Sequence, residues 1–335
     1  MDSITHVLLG ASCAAVLAPV ANRRAAMAIG AVLNTLPDLD VLVRYADPVA
    51  NLTFHRSYSH SLLVLPWVAL AVWALLLATW RPARAARGRW LAVCLVALLT
   101  HPLLDAFTVY GTQLWWPLES PPVMVSSLFI IDPAITVALL AGVIAAFRLR
   151  DPARARRWLV GGLAFSAAYL GWGVAAKADI EHGVRAQLAR EGRRDAPVLT
   201  VPTPFNSILW RVVVMTPDGY REGFRRVFAG AADTRWSSHE SDRGVLGAVR
   251  DAWAVRRLDW FTHGFWSVRV HADGLAIEDL RMGMEPDYIF RFIVAEHRDG
   301  ALVPMQPSRQ LPWPRLSSAR LGEMWRRAAA DGGER

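Results

Sequence analysis

Residues 61–105 read SLLVLPWVALAVWALLLATWRPARAARGRWLAVCLVALLTHPLLD. Ser61–Trp80 carries no charged side chain, Arg81–Arg89 holds Arg81, Arg84, Arg87 and Arg89, and the chain then turns apolar again over Arg89–Leu104 before closing on His101 and Asp105. A helix crossing the hydrocarbon core of a bilayer needs about 20 apolar residues, with a range of roughly 17 to 25. Two such runs joined by a short Arg-rich loop predict an antiparallel pair of membrane segments.

Outward from this pair, Ser127–Phe147 and Trp158–Ala176 have the same character, and two shorter apolar segments, Ile4–Val20 and Ala25–Leu36, precede it. The expected fold is a membrane all-α helical bundle of about six apolar segments over residues 1–176. The first pair either spans or forms a shallow re-entrant hairpin. The first twenty residues hold Asp2 and no Lys or Arg before Arg23, whereas a signal peptide opens on a basic stretch, so they are read as mature protein. A charged, helical connector follows over 177–196. Residues 197–335 have ordinary polarity and strand-like runs at Ile208–Met215, Trp266–His271 and Tyr288–Ala295, with Ala272-Asp273-Gly274 placed as a hairpin turn. This part is expected to be a small β-rich or α+β soluble domain.

The chain is 53% hydrophobic, with a net charge of +8 and a mean hydropathy of +0.24. The positive charge does not point to nucleic acid, because much of it lies in short loops beside apolar segments. Arg23 and Arg24, the Arg81–Arg89 loop, and Arg148, Arg150, Arg154, Arg156 and Arg157 fall on one side if the segments alternate; Asp105–Ser126 has no Lys or Arg, and Pro37–His60 only Arg44 and Arg56. Basic loops stay in the cytoplasm, so the opposite connections and the C-terminal domain are expected to face away from it, in a bacterial cytoplasmic (inner) membrane. Cys13 and Cys94 both lie in apolar runs; two cysteines supply neither a disulfide framework nor a Cys-based zinc knuckle. Trp115 and Trp116 suit the outer interfacial belt.

The same topology gathers the chemistry. Asp2 and His6, and again His101 and Asp105, stand four residues apart, the spacing that places both on one helix face. Asp38 and Asp40 follow Pro37, which disfavours helical geometry at Leu36; an extended Asp38-Leu39-Asp40 would send both carboxylates the same way. His55 and His60 suit a loop leading into the third segment. All four groups reach the face opposite the basic loops. Imidazole with carboxylate is the ligand chemistry of zinc, iron and manganese. The predicted metal ligands are His6, Asp38, Asp40, His55, His60, His101 and Asp105, with Asp2 as a further candidate, and this set has room for more than one ion. A lone interfacial His or a lone PDxD is more often structural, but charged groups near hydrocarbon cost about 2.5–3.5 kcal/mol each on insertion scales, and so many converging by chance is a poor explanation. Asp40 and His60 are the candidate catalytic residues. Arg56, between two of the histidines, is the candidate for holding a substrate phosphate or carboxylate. Tyr110-Gly111-Thr112 reads first as a plain turn, with closure over the site as the alternative, and Asp132-Pro133 as a helix start or a support for the ligands. His239, His263, His271 and His297 have no mutual ligand spacing.

MDSITH, PDLD, HRSYSHS, HPLLD and TVYGT, all within residues 1–112, together resemble the YdjM-like family of membrane-bound metal-dependent hydrolases, described as LexA-regulated. PTPFNSILW at 202–210 and IEDLRMG at 277–283 look like its subgroup with an appended extracytoplasmic domain. Ser59 stands where Thr is common in that pattern, and Leu118 where Phe often follows Pro117. The resemblance implies a divalent metal, with zinc the first expectation, and a hydrolase. A water activated by the metal would attack an ester or phosphoester, with Asp or His as base. A site at the membrane boundary suits a lipid or lipid-linked substrate. The rival reading is a transporter or metal-handling membrane protein, because intramembrane His and Asp also mark ion pathways; ligands at helix ends favour the hydrolase, ligands at the midplane the transporter.

The charge asymmetry of the loops is directly testable. A reporter fused after Arg87 is expected to behave as cytoplasmic and one fused after Arg335 as extracytoplasmic; both on the same side would break the proposed topology.

Overall fold

A computed structural model describes residues 1–313, Gly322 and Arg326. It divides into two units, residues 1–43 with 54–173, and residues 44–53 with 174–335.

The first unit is helical. Helix α1 (Ser3–Leu17) starts where the Asp2 carboxylate accepts the Thr5 amide at 3.0 Å, which satisfies a donor that a helix start leaves open. Helix α2 (Arg23–Thr35) returns antiparallel and runs into a 3-10 turn over Leu36–Leu42. The two helices nearly touch: a Cβ added at Gly10 would lie 2.2 Å from the Gly30 carbonyl oxygen, and the reverse is also 2.2 Å. Helix α3 (Pro48–Phe54) lies almost wholly in the second unit. Past it come α4 (Leu65–Thr79), the short α5 (Arg81–Ala85), α6 (Arg87–Asp105), α7 (Pro133–Arg148) and the long α8 (Pro152–Arg190). Helix α6 packs against α1, α2 and α4, with Trp90, Val93, Cys94, Ala97 and Leu98 fully buried. The outward faces stay apolar: Trp67 is 72% exposed and Val137 61%. A helix apolar on its outer face is stable in hydrocarbon, not in water.

Three helical stretches among the described residues are long and apolar enough to span: Val20–Leu42, Arg87–Asp105 and Pro152–Arg190. A fourth arises if Pro48–His60 and Leu65–Thr79, bent by 57°, count as one, while Ser3–Leu17 and Pro133–Arg148 are shorter. The expected count of about six is therefore not reached by length. Two local causes are visible. The apolar run from Ser61 does not start as helix, because the Leu62 amide donates to the Leu114 carbonyl (2.9 Å) and the Ser61 hydroxyl to the Trp116 carbonyl (2.6 Å). Ser127–Ile131 stays irregular because Asp132 caps α7, accepting the Ala134 amide at 3.0 Å with Pro133 at the first helical position; Asp132 is thus a helix start. Lys177–Arg190, expected as part of a connector, continues α8.

The C-terminal region is β-rich. Strands β1 (Val198–Pro202), β2 (Leu209–Thr216), β3 (Gly219–Arg226) and β4 (Ser237–Glu240) form an antiparallel meander. Helix α9 (Trp253–Thr262) precedes β5 (Trp266–His271) and β6 (Gly274–Asp279), a hairpin that pairs His271 with Gly274. The small ribbon of β7 (Gly283–Met284) and β8 (Asp287–Tyr288) leads to β9 (Arg291–Arg298) and β10 (Ala301–Gln310), giving a second sheet ordered β10-β9-β6-β5. A buried ion pair fixes the first sheet: Arg211 donates to Glu222 from Nε at 2.9 Å and from Nη2 at 2.6 Å, and from Nη1 to the Leu280 carbonyl at 2.7 Å. Residues 44–53 belong to this unit through the Asp47 carboxylate, which accepts the Ser308 amide at 2.9 Å and hydroxyl at 2.6 Å, and through Thr53 Oγ1, which accepts from Arg257 Nε at 3.0 Å.

The Gly10–Gly30 contact sets a stability test. Gly10→Ala should cost about 1–3 kcal/mol or more, because backbone must move to admit the methyl group, whereas Gly171→Ala, with nothing within 4 Å, should leave the melting temperature in detergent unchanged or raised. Equal melting temperatures for the two variants would show that the α1–α2 contact is loose.

Candidate metal centre

The last turn of α6 presents His101 and Asp105, both fully buried. The 3-10 turn after α2 presents Asp38, and a second turn, Tyr58–His60, presents His60. One ligand atom from each of Asp38, His60, His101 and Asp105 lies within 4.8 Å of the others, the metal-compatible group among the described residues. His60 Nε2 and His101 Nε2 are 3.0 Å apart. Asp105 Oδ2 is 3.4 Å from the first and 3.3 Å from the second, and Asp38 Oδ1 is 3.5 Å and 3.4 Å from them.

Hydrogen bonds on the far side of each ring decide what these nitrogens are. His101 Nδ1 lies 2.5 Å from the Asn34 carbonyl oxygen. A carbonyl only accepts, so Nδ1 carries the proton and neutral His101 turns a lone pair inward from Nε2. Ser59 donates its hydroxyl to Asp40 Oδ2 at 2.5 Å and therefore accepts from His60 Nδ1 at 2.9 Å, which leaves His60 Nε2 as a lone pair too. The Asn34 amide donates to the Ala97 carbonyl at 2.5 Å and Thr100 Oγ1 at 2.9 Å, so its oxygen faces His6 Nδ1 at 3.3 Å and His6 Nε2 faces Asp105 Oδ1 at 3.2 Å. The His6 and His101 rings stack at 3.7 Å. Three imidazole lone pairs thus converge on one carboxylate whose Oδ2, buried, has no hydrogen-bond donor. Metal-binding histidines characteristically donate the other ring N–H to a carbonyl, carboxylate or similar acceptor. Both the donor set and the orphaned oxygen fit a divalent cation.

The remaining predicted residues take other positions. The Leu36–Leu42 stretch is a 3-10 turn with Leu36 still helical (φ −55°, ψ −41°), not an extended pair. Pro37 sits at its first turn, where the missing N–H is harmless, and at about three residues per turn Asp38 and Asp40 diverge. Asp40 instead pairs with His55, Oδ1 to Nδ1 at 2.6 Å, while its Oδ2 also accepts the Arg56 amide at 3.0 Å. Asp2 caps α1, with its carboxylate on the Thr5 amide and hydroxyl. Arg56 holds a left-handed backbone (φ 62°) and a buried side chain. Its Nη2 is 3.1 Å from Asp105 Oδ1, Nη1 donates to Thr108 Oγ1 at 3.3 Å, and its guanidinium lies 4.9 Å from the Tyr110 ring centre. Arg56 Nε has no hydrogen-bond partner. The α-amino group of Met1 donates to Asp105 Oδ1.

Asn34 and Ser59 went unnoticed as functional residues. A buried Asn in an otherwise apolar helix is itself a signal; Ser59 offers none until Asp40 and His60 are known to flank it.

Residues 1–180 match the family described as YdjM inner membrane protein. Among curated proteins, the uncharacterized protein YfhP of Bacillus subtilis (strain 168) is 29% identical over 150 residues, covering 43% of this chain and 45% of YfhP. The match thus spans less than half of either chain. No solved structure matches.

If the centre binds metal as its geometry allows, His101→Ala and Asp105→Ala should each remove the bound ion measured by elemental analysis of the detergent-purified protein, and the double variant should be scarcely worse. Ser59→Ala should weaken affinity by about 10–100-fold, as loss of a ligand's hydrogen-bond partner does, while Asp2→Asn should retain the ion. Full metal content in folded His101→Ala and Asp105→Ala would make the cluster structural.

Proposed function

We propose that this chain, which belongs to the YdjM inner membrane protein family, is a membrane-embedded metal-dependent hydrolase acting on an ester or phosphoester of a lipid or lipid-linked molecule. The observation that carries the reading is the convergence of inward-facing imidazole and carboxylate groups on a single buried point at the end of α6. Asp38, His60, His101 and Asp105 would hold the ion, with His6 against the outer oxygen of Asp105; two imidazoles and two carboxylates suit zinc, and also manganese or iron. Once bound, such an ion supplies Lewis-acid polarisation of a phosphoryl or carbonyl oxygen and makes water a nucleophile near neutral pH.

The chain's own residues would do the rest. His60 is committed to the ligand group, so the base role passes to His55. Asp40 holds the Nδ1 side of that ring at 2.6 Å, which fixes the tautomer that leaves Nε2 free to take a proton, the arrangement by which a carboxylate orients a catalytic imidazole. His55 is partly exposed, at 20% for its side chain, as a group that meets substrate must be. Arg56 supplies a fixed guanidinium beside Asp105, with Nε unused, placed to hold an anionic oxygen of the substrate. The left-handed backbone of Arg56 is the kind of strain that persists where a side chain must be held in one place.

Transport by the same cluster is the second reading. Asp105 ends α6 and Asp38 lies in a turn past α2; ligands at element ends favour chemistry open to water over a midplane ion path.

The test is hydrolysis of phospholipid and lipid-linked phosphoesters in mixed micelles by metal-loaded protein. His55→Ala and Arg56→Ala should each lower turnover by about 10²–10⁴-fold, the range for losing a general base, while keeping the metal. A loaded protein that hydrolyses none of these substrates but moves the ion across proteoliposomes would replace the hydrolase with the transporter.

A further inference from the structure

On the outer face of α7 and α8, away from every residue of the metal centre, runs a groove of about 340 Å³, within the range of roughly 300–1,000 Å³ typical of small-molecule sites. Its floor exists because the helices touch backbone to backbone: a Cβ on Gly162 would lie 2.7 Å from the Ala138 carbonyl oxygen, and one on Gly142 3.0 Å from that of Trp158. Ala138, Ala141 and Gly161 keep it open, and a Cβ on Gly161 would meet nothing within 4 Å. Trp158 and Phe165 wall it, exposed at 56% and 48%. Arg157 stands at one end, exposed and without an ion-pair or hydrogen-bond partner among the described residues. The lining is otherwise apolar.

We propose that this groove binds one anionic phospholipid, with an acyl chain along Ala138, Ala141, Gly161 and Phe165 and its phosphate on Arg157. The polarity runs the right way. From Arg157 to Phe165 the helix rises about 12 Å, taking the groove from the Arg-rich loop into the hydrocarbon. Arg157 is the last of five arginines between Arg148 and Arg157, so the field at that end favours a negative headgroup. A guanidinium matches a phosphate with paired donors, and Trp158 belongs at the headgroup level. An annular lipid needs only an apolar surface; a cleft deepened by a glycine and ended by an unpaired arginine distinguishes charge as well.

Native mass spectrometry of the full-length protein in detergent, with phosphatidylglycerol or phosphatidylcholine added at equal concentration, tests this without any need for turnover or metal. Wild type should retain phosphatidylglycerol over phosphatidylcholine by about fivefold or more, the ratio that one arginine near an anionic lipid supplies. Arg157→Gln should abolish the preference. Gly161→Leu adds bulk at a groove position where a Cβ meets nothing within 4 Å and should lower retention of both lipids. Equal retention of the two lipids by wild type, or wild-type retention by Gly161→Leu, would reduce the groove to ordinary annular surface.

Discussion

The carboxylate of Asp105 is fully buried at the end of α6, and the N-terminal unit is arranged around what that group requires. An ionised carboxyl removed from water is tolerated only when charges and hydrogen-bond partners surround it. Here the charge comes from the left-handed Arg56 and the α-amino group of Met1, while His6 from α1, His101 from α6 itself and His60 from the turn at Tyr58–His60 turn ring nitrogens toward the same carboxylate. The Gly10–Gly30 contact belongs to the same requirement. A wider separation of α1 and α2 would draw His6 and Asn34 apart, and the Asn34 oxygen would no longer meet the His6 ring. Close packing of the first two helices and the composition of the centre are therefore one constraint seen at two places.

Behind the groups facing Asp105 lies a second set that faces away from it. Asn34 acts twice, by its backbone carbonyl on His101 and its side-chain oxygen on His6. Ser59 couples His60 to Asp40, and Asp40 couples onward to His55. Tautomer and ring direction are settled before any ligand arrives, so binding there requires little reorganisation, and that pre-organisation is where such sites gain selectivity and rate. The Asp40 branch also explains how residues close in sequence divide the work: Asp38 serves the ligand group, and Asp40 orients the imidazole beside it.

Much of this was legible before the structure. The spacing of His101 and Asp105 placed both on one face, and His6, Asp38 and His60, expected beside them, do gather around Asp105. Strand-like runs marked β5 and most of β2 and β9, because a strand advertises itself locally. What failed did so for stated reasons. PDLD looked extended because Pro disfavours helix before it, yet a 3-10 turn can start on Pro, and that choice depends on what Asp38 and Asp40 meet. Ser61–Val64 and Ser127–Ile131 are apolar enough for helix, but the Ser61 hydroxyl is claimed by Trp116, the Leu62 amide by Leu114, and the Ser127 and Leu128 amides by Phe107, partners that hydropathy does not reveal. The pairing of β6 with β9 and the membership of residues 44–53 in the C-terminal unit are likewise tertiary facts. Asn34 and Ser59 are ordinary residues until their neighbours are known.

Charge bookkeeping adds to the case for a cation. Asp38, Asp40 and Asp105 stand against the guanidinium of Arg56 and the α-amino group of Met1, with the histidines neutral in the tautomers that Asn34 and Ser59 impose, which leaves negative charge uncompensated. A proton shared between His60 and His101, whose Nε2 atoms are 3.0 Å apart, would convert one repulsion between lone pairs into a hydrogen bond, but it would still leave Asp105 Oδ2 without a donor. A divalent cation offsets the excess negative charge, accepts the inward lone pairs together, and gives Asp105 Oδ2 and Asp38 a partner at once. Of the two ways to settle the same atoms, only the second gives both Asp105 Oδ2 and Asp38 a partner.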